Sequence, residues 1–124
     1  MKIIGIPALN GLGKTIGTEQ APQAVVGKLK TEIFLNETGA KPQIDFEQIV
    51  VDKSSIIRTN ELIEEHISNT EGMPIIIGGD HSITYSCFKA FSKKFTNPGI
   101  IVFDAHPDME NSFSPPTHED YLRM

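Results

Sequence analysis

Four side chains that commonly bind metals are concentrated in two short segments of the sequence. His81 lies in Gly-Gly-Asp-His-Ser, and Asp104, His106 and Asp108 occupy alternate positions of Phe-Asp-Ala-His-Pro-Asp. An extended backbone projects alternate side chains to the same side, where two carboxylates repel one another unless a cation lies between them. Imidazole and carboxylate without thiolate suit manganese, iron or zinc, and the oxygen-rich balance favours manganese. We therefore predict a divalent metal site at these four residues.

Neighbouring polar residues have structural as well as chemical interpretations. An Asp-x-His pair alone is usually a solvated turn or a histidine bonded to a nearby carboxylate. Here a third candidate ligand follows at the same spacing, and a second polar loop lies upstream, so a metal site is the favoured interpretation. Asp80 has two open roles, orienting an imidazole or capping the following helix, and Ser82 shares this ambiguity. We expect His66 on the solvated surface and Cys87 in core packing.

Apolar runs separated by turn residues predict the elements that position these segments. The pattern predicts strands at Lys2–Ile6, Phe46–Val51, Pro74–Ile77 and Ile100–Phe103, and helices from Thr18 to near Gly39, from about Ser55 to Asn69, and from Ser82 to Phe95. Strands that alternate with helices predict an α/β fold, a layered parallel sheet with helices on both faces. Because ligands gather at the carboxyl ends of parallel strands, we expect the two polar loops to face each other from neighbouring strands.

Composition narrows the class of protein. With 124 residues, 39% hydrophobic and 22% charged, the chain is typical of one globular domain. A net charge of -5 without a Lys/Arg block argues against nucleic-acid or membrane partners and favours a small polar substrate. The single cysteine excludes an internal disulfide framework, and we find neither a signal peptide nor an apolar run of about 18 residues, so we expect a cytoplasmic protein.

The two polar segments together resemble the arginase/agmatinase family of ureohydrolases. Gly5-Ile6-Pro7, residues 17–22 and residues 117–123 resemble the N-terminal portion of the same family. The resemblance implies an arginase/deacetylase-like fold and a manganese-dependent hydrolase. In such an enzyme, activated water attacks the guanidinium carbon of arginine, agmatine or a similar substrate and releases urea and an amine.

The resemblance also implies roles for individual residues. His81, Asp104 and Asp108 would hold one manganese ion, while His106 and a bridging Asp104 would hold the other. His118 would contact the substrate or shuttle protons, although from the residues alone it is interpreted as an exposed loop histidine.

The sequence departs from the family pattern in one respect. It lacks the later Ser-x-Asp-x-Asp and Asp-Pro segments that complete both metal sites. We therefore expect residues 1–124 to be the N-terminal part of a ureohydrolase domain, truncated or split, with the C-terminal half absent. Such a chain is expected to bind metal weakly, as a single ion, and to hydrolyse little substrate alone.

The expected partner is a C-terminal half or a homologous subunit, drawn to an unpaired apolar sheet edge, and the complete assembly is expected to be a homo-oligomer. An alternative is a non-catalytic metal-binding or assembly subunit that pairs with a complete homologue. A third interpretation is a deacetylase-type hydrolase with a single zinc ion. The choice among guanidino substrates stays open at this stage.

Overall fold

Strands and helices alternate along the chain. The computed structural model describes residues 1–9, 14–32 and 35–105. In chain order the elements are β1 (Lys2–Ile6), α1 (Ala21–Thr31), β2 (Asp45–Gln48), α2 (Ile56–Asn69), β3 (Ile75–Gly78) and α3 (Ile83–Ser92), with a 3-10 turn at Thr18–Gln20 before α1. None of the helices within these ranges is long and apolar enough to cross a membrane. The alternation confirms the predicted α/β class.

The three strands form one parallel sheet in the order β2-β1-β3. In the central strand, Ile3 pairs with Phe46 of β2 and with Ile75 of β3. A central strand of a parallel sheet is covered on both faces, so it needs apolar residues at successive positions rather than at alternate ones. Accordingly Ile3, Ile4 and Ile6 are all essentially buried.

Helices cover both faces of the sheet, as predicted. On one face, β1 contributes Ile4 and Ile6 to an apolar cluster whose members from α2 and α3 are Ile63, Ile67, Ile83 and Ala90. Gly5 alternates with these residues and faces α1, because a Cβ atom there would lie 2.8 Å from the Cβ of Pro22. The missing side chain at Gly5 therefore lets α1 approach the sheet.

Helix α2 is capped at both ends by polar side chains. At its start, Ser55 Oγ accepts a hydrogen bond from the Arg58 amide at 3.2 Å. At its end, Lys94 Nζ donates to the carbonyl oxygens of Ile67 at 2.8 Å and Thr70 at 2.6 Å. A cation at the C-terminus satisfies carbonyl groups that have no partner within the helix. These contacts fix the length of α2 and join it to the end of α3.

Residues 100–105 form no regular element, so the predicted strand Ile100–Phe103 is wrong for this structure. The side chains of this segment are exposed, with Ile101 at 83% and Phe103 at 97%. An apolar run indicates a preference for extended backbone, but a strand also needs a neighbour with which to exchange hydrogen bonds. The segment does not pair with β3, so the expected adjacency of the two strands is wrong as well.

The other differences from the predicted elements are at their ends. Helix α1 follows a 3-10 turn and ends at Thr31, well before Gly39, while residues 33 and 34 lie outside the described ranges. Strand β2 covers Asp45–Gln48, and α3 ends at Ser92 rather than Phe95. Residue propensity and periodicity predict the middle of a helix or strand better than its ends. Caps and tertiary contacts determine the residue at which it ends.

Candidate metal centre

The turn that follows β3 is held against the segment that follows β1. Ile6 pairs with Gly78, so both strands end at the same edge of the sheet. Beyond that pair, the Gly79 amide donates to the Ile6 carbonyl at 2.8 Å, and the Asp80 amide donates to the Ala8 carbonyl at 3.2 Å. A Cβ atom on Gly79 would lie only 2.2 Å from the Ala8 carbonyl oxygen. Glycine at this position therefore permits the close approach of the two segments.

Asp80 connects this turn to the start of α3 and to the loop before α1. Its Oδ1 accepts hydrogen bonds from the Ser82 amide at 3.1 Å and from the Ser82 hydroxyl at 2.5 Å. Its Oδ2 accepts from the Thr15 hydroxyl at 2.8 Å. Ser82 is the N-cap residue of α3, but its own side chain makes no capping bond. These bonds hold the turn that carries His81, next to the start of α3.

His81 and Asp104 approach each other at the carboxyl edge of the sheet. Within the turn, His81 Nδ1 is hydrogen-bonded to Thr84 Oγ1 at 3.1 Å. The other ring nitrogen, Nε2, lies 4.0 Å from Oδ2 of Asp104. The two side chains are 42% and 32% exposed, so both are accessible to solvent. The structure thus brings together one residue from each of the two polar loops, although no strand directly precedes Asp104 in the described chain.

The donor types of this pair fit a divalent cation, because imidazole nitrogen and carboxylate oxygen are both ligands of manganese. Two adjacent ligands with metal bonds of about 2.1 Å lie about 3 Å apart, so the pair would close by about 1 Å around an ion. Among the described residues, no group of three or more His, Cys, Asp or Glu side chains could hold a metal. His106, Asp108 and His118 lie outside the described residues. Within the described residues, His81 and Asp104 therefore provide two donor groups of the types that bind a divalent ion.

His66 lies at the surface, as predicted, and also makes a contact that the sequence did not indicate. Its side chain is 35% exposed, and its Nε2 lies 3.1 Å from Oε1 of Glu47 on β2. Lys2 Nζ contacts the same carboxylate oxygen at 3.1 Å. The hydrogen bonds from His66 and Lys2 lower the pKa of Glu47. His66 is thus a contact between α2 and the sheet.

Cys87 lies where the sequence predicted it. It is partly buried and packs against the apolar cluster beneath α2 and α3. Burial raises the pKa of its thiol to about 12. A thiol that stays protonated at neutral pH is a poor nucleophile and a poor metal ligand, so Cys87 belongs to the core.

Two hydroxyl residues at this site have no counterpart in the sequence predictions. Thr84 is three residues after His81 at the start of a helix, a spacing that places two side chains side by side and could have identified it. Thr15 is separated from Asp80 by 65 positions, and no local pattern links them. Only the parallel pairing of β1 and β3 brings those two loops to one edge.

Comparison with known proteins gives consistent results. The sequence model of the arginase family matches residues 1–122. An arginase of Staphylococcus aureus is 29% identical over 125 residues, which cover 86% of this chain and 41% of that arginase. An agmatinase of Bacillus cereus is 34% identical over 71 residues, or 53% of this chain and 24% of that protein. The chain therefore spans about two fifths or less of the length of these relatives.

The fold also matches a solved structure. A crystal structure from Clostridium difficile, provisionally described as an agmatinase, superimposes with a TM-score of 0.79 and 17% sequence identity. The match covers 98% of this chain and 46% of that one. The likeness in fold agrees with the family match over nearly the whole sequence. This chain belongs to the arginase family.

Proposed function

We propose that this chain provides part of the active centre of a manganese-dependent ureohydrolase, which hydrolyses a guanidino C–N bond to urea and an amine. The observation that carries the proposal is the approach of His81 to Asp104 at the carboxyl edge of the sheet. Relatives named as arginases and agmatinases support a guanidino substrate such as arginine or agmatine. We also propose a cytoplasmic location, since a lone cysteine suits a reducing compartment.

In this proposal, His81 and Asp104 hold manganese together with His106 and Asp108, and His118 contacts the substrate or carries a proton. When bound, the metal would lower the pKa of a water molecule and offset the repulsion between carboxylates. The remaining tasks belong to the protein. Thr84 fixes the ring of His81 by the hydrogen bond to Nδ1. The contacts of the turn with β1 hold the backbone that carries this ring.

The metal centre is incomplete in the described part of the chain, where His81 and Asp104 provide two donors. A divalent ion needs several protein ligands to bind tightly. Since the chain spans 41% of the Staphylococcus aureus arginase, we propose that a C-terminal portion or a homologous subunit supplies the missing carboxylates. Without it, the chain would bind manganese weakly and hydrolyse little substrate.

Strand β3 offers a surface for that partner. In the described sheet it pairs with β1 alone, so its other edge is open. Ile75 on β3 is 47% exposed. A groove of about 270 Å³ lies beside it, lined by Ile76, Ile83, Thr84, Cys87, Phe88 and Ile100. An open apolar edge favours the addition of a strand from another segment. That strand would form backbone hydrogen bonds with β3, and its apolar side chains would enter the groove.

The test is urea release in the presence of Mn²⁺ from arginine, agmatine and guanidinobutyrate. The chain is assayed alone and mixed with a polypeptide that carries the family's later Ser-x-Asp-x-Asp region. We expect little release from either polypeptide alone and clear release from the mixture, lost in His81→Ala and Asp104→Ala. Release from the mixture that survives both substitutions would contradict the proposed mechanism.

A second candidate is an assembly subunit that binds a complete homologue without catalysing a reaction. The partly exposed side chains of Ile75 and Ile100 favour this candidate, because an exposed apolar patch often marks a protein–protein contact. Stable association with a complete arginase, with no change in its urea release when His81 is substituted, would distinguish this role from catalysis. The third interpretation, a deacetylase-type hydrolase, gains no support from the match to the arginase family.

A further inference from the structure

We propose that the hydrogen bond from Thr15 to Asp80 is a positioning contact, which sets the orientation of the turn that carries His81. The inference rests on the proposed function, because it assigns to His81 the role of a metal ligand. Thr15 and Asp80 would act through His81 and would touch neither metal nor substrate. The contact joins two loops that are 65 positions apart in the sequence.

The hydrogen bonds of Asp80 leave the turn little freedom. One carboxylate oxygen accepts from the amide and hydroxyl of Ser82, immediately after His81. The other accepts from the Thr15 hydroxyl at 2.8 Å in a partly buried position. A bond to a charged acceptor is stronger than one between neutral groups, and burial strengthens it further. The Thr15 bond therefore links the carboxylate that binds Ser82 to the loop before α1.

Thr15 is itself held in place, so the bond connects the turn to a fixed structure. The Thr15 carbonyl accepts hydrogen bonds from the Thr18 amide at 3.1 Å and the Thr18 hydroxyl at 2.7 Å. Gly17, between them, has a φ of 102°, which a residue with a side chain adopts only with strain. This turn leads directly into α1, whose Pro22 is buried against the sheet. Through Thr15, the turn after β3 is therefore connected to helix α1.

The backbone hydrogen bonds of the turn hold its first half, whereas the Asp80 carboxylate binds in its second half. The bonds from Gly79 and Asp80 to β1 and its exit segment fix the first half of the turn. His81 comes after these bonds. The next backbone hydrogen bond described in the turn runs from the Thr84 amide to the His81 carbonyl at 3.0 Å. The carboxylate of Asp80 therefore spans the part of the turn that carries the imidazole. Loss of the Thr15 bond should loosen this part while the first half keeps its contacts.

The experiment compares Thr15→Val, which keeps the shape of the side chain and removes the hydroxyl, with Thr15→Ser, which keeps the hydroxyl. Thr31→Val is the matched control, because Thr31 Oγ1 bonds only within α1, to the Gly27 and Lys28 carbonyls, at an exposed position. Amide hydrogen exchange is followed by NMR at Ser82 and Thr84, with amides of α2 as the reference for global unfolding. Mn²⁺ affinity is measured on the same samples by electron paramagnetic resonance.

We expect Thr15→Val to speed exchange at Ser82 and Thr84 by about 5- to 10-fold and to weaken Mn²⁺ binding by a similar factor, with exchange in α2 unchanged. Thr15→Ser and Thr31→Val should stay within about 2-fold of the unmodified chain on both measurements. Unchanged exchange in Thr15→Val would overturn the positioning contact, as would faster exchange with unchanged Mn²⁺ affinity. An unmodified chain that binds no Mn²⁺ would contradict the metal site itself, and the exchange comparison would still support or overturn the Thr15 contact.

Discussion

At the turn after β3, glycine is required for packing rather than for an unusual backbone angle. A Cβ on Gly78 would meet the Cδ1 of Ile83 at 2.3 Å, and a Cβ on Gly79 would meet the Ala8 carbonyl oxygen at 2.2 Å. The first neighbour is the end of a flexible side chain and can move, but the second is backbone and cannot. Positive φ angles in the described chain occur at other glycines. The Gly-Gly pair thus allows two loops to meet at the carboxyl edge of the sheet.

Gly79→Ala should therefore lower the free energy of unfolding by about 2 kcal/mol, because a methyl group placed against a fixed carbonyl forces the two segments apart. Gly99→Ala is the matched control, since a Cβ there would have no neighbour within 4 Å. Urea unfolding followed by circular dichroism measures both variants. Equal stability of the two would show that the close approach at Gly79 does not exist in solution.

Helices α2 and α3 are joined by a charged contact on the side away from the sheet. Glu64 on α2 contacts Lys89 at 2.8 Å and also pairs with Lys93 just beyond α3. The Glu64 side chain is only 19% exposed, which reduces screening by water and salt. The hydrogen bonds from Lys89 and Lys93 lower the pKa of Glu64 below 4.5. This contact binds the two helices that cover one face of the sheet.

A lowered folded-state pKa predicts how this contact depends on pH. The ionised carboxylate stabilises the folded state above the unfolded pKa of about 4.5, and the contribution is lost as pH falls through the lower folded value. We expect Glu64→Gln to lower the free energy of unfolding by about 0.5 kcal/mol at neutral pH. The difference from the unmodified chain should disappear in acid.

Glu61→Gln is the matched control for this measurement, because Glu61 pairs with Arg58 within α2 at an exposed position. Exposed pairs within one helix contribute about 0.3–0.5 kcal/mol at most. The comparison uses thermal unfolding across the acid range. A Glu64→Gln deficit that grows as pH falls would contradict the assigned direction of the pKa shift.

For the molecule as a whole, the sequence predicted the parts of the fold that depend on local pattern. After Lys2, the residues of β1 are apolar at successive positions because the strand is central, and this pattern predicts a buried strand. The predicted start of α2 at about Ser55 agrees with the structure, in which the Ser55 side chain caps that helix. The sequence predicts that the two polar loops face each other because each follows a parallel strand, but in the structure only the loop with His81 follows one.

Features that depend on distant partners could not be predicted in the same way. The segment Ile100–Phe103 has the composition of a strand, but its partner is not specified by any pattern within the segment. His66 has charged neighbours in sequence, yet its environment is decided by Glu47 on β2. Thr15 and Asp80 become neighbours only through the pairing of β1 and β3. Each of these contacts is fixed by tertiary structure rather than by local sequence.

The proposed metal centre requires that His81 and Asp104 bind the same divalent ion. The most direct test is titration of Mn²⁺ followed by electron paramagnetic resonance, with the unmodified chain, His81→Asn, Asp104→Asn and the control His66→Asn, whose histidine pairs with Glu47 instead. We predict that His81→Asn and Asp104→Asn each weaken binding by at least about 10-fold, while His66→Asn binds as the unmodified chain does. Equal Mn²⁺ affinity in all four proteins would contradict the account.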